Sequence, residues 1–154
     1  MEKPIRRADR ATSQEDARAL LMRATYGVLS TVDSDGLPYA TPLSYACVDN
    51  RIYFHCAHEG RKLDNIAANP RVSFCVVGDT QTLPREFATQ YESAVAFGKA
   101  QMVTGDEKRA ALVLLLEKYS PEFMASGMKY LEGKFAQTTV VRIDVDHLTS
   151  KARR

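Results

Sequence analysis

The chain has 154 residues, of which 45% are hydrophobic and 26% are charged, the balance of a globular protein rather than a disordered one. Its 21 basic and 19 acidic residues give a net charge of +2, which is too small to indicate a nucleic-acid-binding protein. The longest apolar run, residues 110–116, is too short for a membrane helix, which needs about 20 residues, and the charged N-terminus is unlike a secretory signal.

We therefore expect a single cytoplasmic domain over residues 1–154, with flexible ends at 1–11 and 150–154. Basic residues gather at both ends of the chain, at Arg6, Arg7, Arg10, Lys151, Arg153 and Arg154. We interpret these runs as solvated tails, with a nucleic-acid-binding arm as the alternative. The expected partners accordingly include neither a nucleic acid nor a membrane.

The first half of the chain predicts one helix followed by three strands. Residues 12–15 (TSQE) have the pattern of a helix capping box. Apolar residues follow at helical spacing, namely Ala17, Leu20, Leu21 and Ala24. From residue 26 the hydrophobic period changes to two, which is typical of strands. We expect strands at 26–33, 39–48 and 52–56, joined by tight turns at 34–36 and 49–50 into a meander.

The second half predicts two helices and three further strands. A short helix presents Leu63, Ile66 and Ala67 on one face, and residues 69–70 (NP) end it. Asp106 is expected to cap a longer helix with an apolar face of Leu112, Leu115, Leu116 and Tyr119. We expect strands at 71–77, 91–103 and 138–145, a loop at 78–90, and an irregular or short helical stretch at 121–133. Six strands with flanking helices predict an α+β fold built on a closed or partly closed antiparallel barrel.

Residues 55–62 (HCAHEGRK) carry the main signal for a ligand site. This segment runs from a strand through Gly60 into a helix whose first turn holds Arg61 and Lys62. The first N–H groups of a helix lack intrahelical partners, and together with two cations they can bind a phosphate. Two adjacent cations on a solvated helix face would give the same pattern, so both interpretations stay open.

Two prolines mark the predicted strand at 39–48. Pro42 lies inside it and Pro38 just before it, and proline cannot donate a hydrogen bond to a sheet. One side of the strand is therefore expected to be unpaired. The strand is either a protected sheet edge or a place where free backbone groups meet a flat polar ligand such as isoalloxazine, lined by Thr41, Leu43 and Ser44.

The histidines and cysteines do not predict a metal site. His55 and His58 lie an odd number of residues apart on a strand and point to opposite faces unless the chain turns between them. A second pair of ligands, as structural zinc needs, is not found in the sequence. Cys47, Cys56 and Cys75 are interpreted as buried reduced thiols on strands.

Several motifs in order resemble a known family. Tyr39–Ser44 reads YATPLS, and IYFH, GRK and NP follow at residues 52–55, 60–62 and 69–70. This set resembles the FMN-binding split barrel of the pyridoxamine 5′-phosphate oxidase superfamily. Residues 91–100 (YESAVAFGKA) and 141–148 (VRIDVDHL) resemble its branch of Nim-type 5-nitroimidazole reductases. The resemblance covers about residues 6–151 and implies a six-stranded antiparallel split β-barrel.

The resemblance also implies FMN as the cofactor and gives roles to residues of this chain. The implied contacts to isoalloxazine and ribityl come from Tyr39, Thr41, Pro42, Leu43 and Ser44. Phe54 and His55 would approach the ribityl and phosphate, and Arg61 and Lys62 would bind the phosphate. Ser93 falls where oxidases of the superfamily place a glutamine near the flavin. His55 is the candidate catalytic residue, the alternative being a hydrogen-bonded strand histidine.

Members of this superfamily are homodimers with two flavin sites at the interface, and we expect the same here. The chain has no tryptophan and lacks the C-terminal tryptophan, arginine and histidine segment of true pyridoxamine phosphate oxidases, which argues against vitamin B6 oxidation. The resemblance implies an FMN-dependent oxidoreductase that reduces a small acceptor, with nitroaromatics among the candidates. The alternatives are a non-catalytic flavin- or haem-binding carrier, or a deazaflavin in place of FMN.

Overall fold

The structure, a computed structural model, describes residues 3–154 as one seven-stranded antiparallel sheet with four α-helices. The strands are β1 (Gly27–Val32), β2 (Pro38–Leu43), β3 (Ala46–Val48), β4 (Arg51–Cys56), β5 (Arg71–Leu83), β6 (Ala88–Val103) and β7 (Thr139–Arg153). The helices are α1 (Gln14–Arg23), α2 (Arg61–Ala68), α3 (Gly105–Tyr119) and α4 (Met124–Lys134). The order across the sheet is β2-β1-β5-β6-β7-β4-β3. The α+β prediction is confirmed, with seven strands where six were expected.

Helix α1 begins one residue later than the capping-box pattern suggested. Ser13 is the N-cap, and its side chain accepts a hydrogen bond from the backbone N–H of Asp16 at 3.0 Å. Thr12 instead contacts β7, where its backbone N–H donates to the carbonyl of Ser150 at 3.1 Å. The predicted apolar face is confirmed, because Ala17, Leu20, Leu21 and Ala24 are all buried.

The predicted strand at 39–48 is two strands at opposite edges of the sheet. β2 pairs with β1, whereas β3 pairs with β4, so the expected three-strand meander is wrong. Between them Tyr45 turns into the core, where its ring packs edge-to-face on Phe74 at 4.8 Å and its hydroxyl donates to the carbonyl of Leu21. The edge position deduced from Pro38 and Pro42 is confirmed for β2.

The segment at 78–90, expected to be a loop, is mostly strand. β5 and β6 pair along a long hairpin that continues beyond a register shift after Val77, from Thr80 opposite Tyr91 to Leu83 opposite Ala88. A short 3-10 turn forms the tip, where Phe87 is 96% exposed. We call this outer part of the hairpin, residues 80–91, the β5–β6 arm. Backbone pairing holds it together and few of its side chains are buried, so its sequence has the hydrophobic pattern of a loop.

Three further boundaries differ from the expectation. Helix α3 has Thr104 at its N-cap position, without a side-chain cap, and Asp106 lies inside its first turn. Most of the stretch at 121–133 belongs to helix α4, which runs one residue beyond it to Lys134. β7 extends to Arg153, so the end expected to be flexible is the last part of a strand paired with β6.

Two hydrophobic clusters meet at β4. The main core lies between α1 and the sheet and includes Phe54, which is completely buried. A second cluster lies under α3 and α4 and includes Tyr53. Successive residues of β4 therefore face opposite sides, which places His55 on the α3–α4 side. Over residues 3–154, no helix has the length and apolar character needed to span a membrane.

Candidate functional site

Helix α2 offers free backbone donors at its start. Gly60 occupies the N-cap with φ of 151°, a backbone angle that residues with a side chain rarely adopt. Its carbonyl accepts hydrogen bonds from the N–H groups of Leu63 and Asp64, each at 3.1 Å. The N–H groups of Arg61 and Lys62 come before these two bonds, and Gly60 has no side chain to cap them. Two donors are therefore available to an anion.

Two cations and an aromatic ring surround this helix start. The guanidinium carbon of Arg61 lies 4.8 Å from the centre of the Tyr39 ring. Burial raises the pKa of the Cys56 thiol at the end of β4, and the charge of Lys62 opposes this shift. We call Tyr39, Arg61 and Lys62 the cation cluster. The cation cluster consists of three residues for which the family resemblance implied a role in cofactor binding.

A buried pair of polar side chains fixes α2 against the sheet. The Asn65 amide donates to the Thr31 hydroxyl at 2.9 Å, and both residues are almost fully buried. Thr31 lies directly opposite Tyr39 in the β1–β2 pairing. The predicted apolar face of α2 included Ala67, but Ala67 is exposed and Asn65 takes the buried position. The only signal for this contact in the sequence was an asparagine directly beside the apolar Ile66 in a short amphipathic helix.

The other β2 residues assigned to the cofactor divide between the two faces of that strand. Thr41 and Leu43 are half-buried on the same side as Tyr39, and Leu43 packs against the main core. Pro42 is exposed on the opposite side. Since β2 is an edge strand, its outer backbone groups are open along its length.

Ser44 and His55 belong to a second group of residues, which contains no member of the cation cluster. Ser44 lies two residues before β3, and His55 is on β4, the strand that pairs with β3. Both line a cavity of about 320 Å³ between the sheet and helices α3 and α4. Cys56, the next residue of β4, instead packs against the main core, and the charge of Lys62 opposes the rise in the pKa of its thiol. No residue of the cation cluster lines this cavity.

Two assigned residues are remote from both groups within one chain. The side chain of Phe54 is completely enclosed in the main core, so its ring cannot reach a ligand at the surface. Ser93 lies near the far end of β6, opposite Lys151, whereas His55 is opposite Val140 at the other end of β7. Within one chain, Ser93 is therefore not part of either group.

The ring of His55 is partly open to solvent, yet burial of the remainder lowers its pKa. The imidazole is therefore neutral at pH 7 and carries one donor and one acceptor nitrogen. It can give or take a hydrogen bond without introducing a charge. These are suitable properties for a residue that orients a polar ligand or exchanges a proton with it.

The remaining histidine and cysteine side chains of the motif have structural roles. The two ring nitrogens of His58 bond to the Thr139 hydroxyl at 2.7 Å and the Ala136 carbonyl at 2.8 Å. The three cysteines are free thiols on strands, as predicted, although they are half-buried rather than buried. Among residues 3–154, no three His, Cys, Asp or Glu side chains converge as metal ligands.

The cavity itself was not foreseen from the sequence. The leucine run of α3 was interpreted as helix packing, which is correct for Leu112 and Leu115. The same leucines also form the cavity wall, with Leu116 beside them. A sequence pattern reports which helix face is apolar, but not whether the space against that face is completely filled.

Comparisons with known proteins agree with this fold. A putative 5-nitroimidazole antibiotic resistance protein from Bacteroides thetaiotaomicron is 19% identical, with a TM-score of 0.75 over 92% of this chain and 85% of that one. A conserved hypothetical protein from Mycobacterium tuberculosis is 22% identical, with a TM-score of 0.83 over 98% and 91%. An FAD and haem binding protein from Mycobacterium smegmatis is 22% identical, with a TM-score of 0.77 over 93% and 72%.

These structures are similar to the chain in fold. A comparison with curated proteins gives no match. The family model described as pyridoxamine 5′-phosphate oxidase, however, matches residues 13–152, nearly the whole length. This match confirms the superfamily that the motifs of the sequence indicated. The chain belongs to the pyridoxamine 5′-phosphate oxidase family.

Proposed function

We propose that this protein binds FMN and acts as an oxidoreductase that reduces a small acceptor, with nitroaromatics among the candidates. The observation that carries the proposal is the uncapped start of α2, with two free N–H groups beside Arg61 and Lys62. A flavin bearing a terminal phosphate fits this set of donors. The guanidinium can bond two phosphate oxygens at once, whereas the ammonium supplies a compact charge.

The fit extends from the phosphate toward the sheet edge. Tyr39 lies beside Arg61, and β2 presents open backbone groups along its outer side. Such groups are the donors and acceptors that the polar edge of an isoalloxazine ring requires. Arg61 and Lys62 would thus hold the phosphate, and the backbone of β2 would hold the ring.

Bound FMN would supply the two-electron redox chemistry that links a hydride donor, such as a reduced nicotinamide, to an acceptor that takes up two electrons and two protons. The protein's part is to position the cofactor, exclude water and supply protons. His55 is the candidate for orienting the acceptor or delivering a proton, because its neutral ring faces a cavity at the end of β4.

We further propose a homodimer with composite flavin sites. In β5, Val72, Phe74 and Val76 face the core, so the alternate residues Ser73, Cys75 and Val77 face away from it. Helix α1 packs on the core side of these strands. The outer sheet face therefore carries Val77, which is 49% exposed, and the half-buried Val28, Val95 and Phe97 without a covering helix among residues 3–154. A second copy on this face could bring its Ser93 to the partner's flavin.

The phosphate contact can be tested by comparing FMN with riboflavin, which lacks the phosphate. Losing one charge-assisted hydrogen bond costs about 1.5–3 kcal/mol, so Arg61→Ala and Lys62→Ala should each weaken FMN binding by about 10- to 150-fold. Riboflavin affinity should stay unchanged. Lys129→Ala, which removes an exposed cation of α4, is the matched control. FMN affinity that is equal in all four proteins would refute the phosphate site.

Catalysis requires its own measurement. FMN-loaded protein should reduce a nitroimidazole with a nicotinamide donor, and His55→Ala should lower the rate while it leaves FMN content unchanged. Equal rates would remove His55 from the mechanism.

A non-catalytic carrier is the second candidate, because a structure with the same fold is an FAD and haem binding protein. The absorption spectrum of freshly purified protein separates the cases. Flavin absorbs in the blue and near ultraviolet, whereas haem gives a sharp Soret band. Bound flavin without acceptor reduction would favour the carrier.

A further inference from the structure

The tip of the β5–β6 arm leaves a large aromatic side chain in water. Up to residue 90 the two strands of the arm pair only with each other, and none of residues 79–87 is buried. At the tip, Phe87 is 96% exposed and its backbone has a φ of 50°, in the left-handed region. A bulky residue rarely adopts this conformation, and such strain is found mainly where a residue has a function. The tip therefore presents the ring of Phe87 to another surface.

The cavity under α3 and α4 lies on the outer face of the sheet. On β6, Ala100 packs in the main core, whereas Val103, three residues later, packs in the cluster under α3 and α4. On β4, Phe54 and Tyr53 divide between the two clusters in the same way. Helices α3 and α4 thus cover one part of the outer face, and the part that carries Val77 is left uncovered among residues 3–154. A second copy on the uncovered part would lie beside the cavity.

The lining of the cavity suits an apolar group with a carboxylate beside it. Its wall is mostly leucine and tyrosine, namely Leu112, Leu115, Leu116, Leu131, Tyr119 and Tyr130. Tyr130 is 69% exposed, so the cavity opens to solvent. Among residues 3–154, Lys134 is the only charged side chain in the lining, and it is exposed. The arm tip has the complementary pair, because the exposed Glu86 directly precedes Phe87.

The arm and the cavity of one chain lie at opposite ends of β6. Phe87 comes directly before this strand, and α3 begins two residues after its end. The strand has 16 residues, and each adds about 3.3 Å to its length. A two-fold axis perpendicular to β6 makes the β6 strands of two copies antiparallel, so that the arm of each copy comes to the α3 end of its partner. Such a symmetric interface contains the same contact twice.

We propose that the arm of each copy inserts Phe87 into the cavity between α3 and α4 of a second copy, with Glu86 beside the partner's Lys134. The leucines remove the ring from water, and the ion pair at the rim fixes its orientation. A benzene ring fits a cavity of about 150 Å³, so a volume of about 320 Å³ leaves space beside His55. The contact rests on the proposed homodimer, and it adds a second contact region to the outer sheet face.

The dissociation constant of the dimer tests the contact of the ring. Phe87→Ala removes two buried rings from a symmetric dimer and should raise this constant at least about 100-fold. Leu37→Ala is the matched control, because Leu37 is an apolar side chain, 54% exposed, at the turn between β1 and β2. It should leave the constant unchanged. Sedimentation at a series of protein concentrations measures the constant for each protein.

A charge exchange tests the ion pair. Glu86→Lys and Lys134→Glu each place like charges together and should each raise the dissociation constant by about fivefold. The double variant restores opposite charges and should return the constant to that of the parent. Lys129→Glu is the control, since Lys129 is exposed on the same helix as Lys134 but does not line the cavity.

The outcomes separate the arm contact from the other proposals. Equal dissociation constants for Phe87→Ala and Leu37→Ala overturn the arm contact and leave the homodimer standing. A double variant that stays as weak as the single ones overturns the pairing of Glu86 with the partner's Lys134. A parent that is a monomer at every concentration overturns the contact together with the dimer. FMN content is measured on the same samples, and a dimer without FMN that is weakened by Phe87→Ala supports the arm contact while it refutes the flavin site.

Discussion

Two buried polar side chains connect the cation cluster to the core. Asn65 donates to Thr31, and Thr31 is paired with Tyr39, whose ring contacts Arg61. The position of α2 relative to β2 thus depends on this buried hydrogen bond as well as on the apolar contacts of Ile66. The residues that would meet a phosphate are held in place by a contact that meets no ligand itself.

We predict that Asn65→Ala lowers both stability and flavin affinity. Removal of the amide leaves the buried Thr31 hydroxyl with an unsatisfied acceptor, which costs about 1–3 kcal/mol in the free energy of unfolding. Asn69→Ala is the control, because Asn69 caps the same helix and its side chain accepts an exposed hydrogen bond from the Arg71 N–H. Urea denaturation measures the stability of both variants, and an FMN titration measures their flavin affinity. A loss no larger for Asn65 than for Asn69 would contradict the anchoring role.

The lowered pKa of His55 makes the free energy of unfolding depend on pH, and the direction of this dependence can be predicted. Its folded-state pKa is lowered by burial, whereas the unfolded chain should have the ordinary value of about 6.5. Between these two values the unfolded state binds more protons, so stability falls as the pH drops below about 6.5 and levels off below the folded-state pKa. His55→Gln should remove this contribution, and urea unfolding at several pH values measures it. An NMR titration that places His55 above about 6.5 would contradict the sign.

At the scale of elements, the longest strand pair depends on a glycine. β6 and β7 change register after Phe97, which pairs with His147, while Gly98 pairs with Val145. A Cβ at Gly98 would lie 2.0 Å from the carbonyl oxygen of Asp144, a backbone atom that cannot move alone. The bulge and the glycine therefore belong together.

We predict that Gly98→Ala lowers the free energy of unfolding by about 3 kcal/mol, the upper end of overpacking costs. Gly133→Ala is the matched control, because a Cβ there meets nothing within 4 Å. Gly133 lies in α4, where alanine is favoured by about 0.5–1 kcal/mol, so the control should gain stability. The two changes should shift the urea midpoint in opposite directions. A midpoint unchanged by Gly98→Ala would mean that the sheet opens there without cost.

The sequence correctly predicted those elements whose hydrophobic pattern reflects burial. It did not predict those elements whose bounds are set by strand pairing or by tertiary contacts. The apolar face of α1 and the edge position of β2 followed from periodicity and proline. The break at Tyr45 could not be predicted, because the residue leaves the strand to reach Phe74 and Leu21. The β5–β6 arm was missed because backbone hydrogen bonds hold it, and these leave no hydrophobic period in the sequence.

For the molecule as a whole, the sequence predicted the grouping of residues at the start of α2, but not the cavity beside His55. The helix start is a local motif of three consecutive residues, Gly60, Arg61 and Lys62, so the sequence alone was enough to predict their grouping. The cavity beside His55 requires α3 and α4 to fold back over β4, and the residues concerned are about 60 to 80 positions apart. Such a grouping depends on the packing of distant elements, which local patterns do not encode.

The outer face of the sheet, which no helix covers among residues 3–154, is also a feature of the whole molecule, because its proposed role is contact with a second copy of the chain. Val77 exposes 49% of its surface there, beside a row of half-buried side chains on β1, β5 and β6. We predict that Val77→Lys converts a dimer to a monomer, since a charge in the apolar centre of an interface is costly. Light scattering should give twice the protomer mass of 17.2 kDa for the parent and the protomer mass for the variant. Met22→Lys, which replaces an apolar side chain 56% exposed on α1, should stay dimeric.

If FMN sites are built by both chains, Val77→Lys should also lose FMN, while Met22→Lys keeps it. A parent protein that is a monomer with full FMN occupancy would refute both the dimer and the composite site.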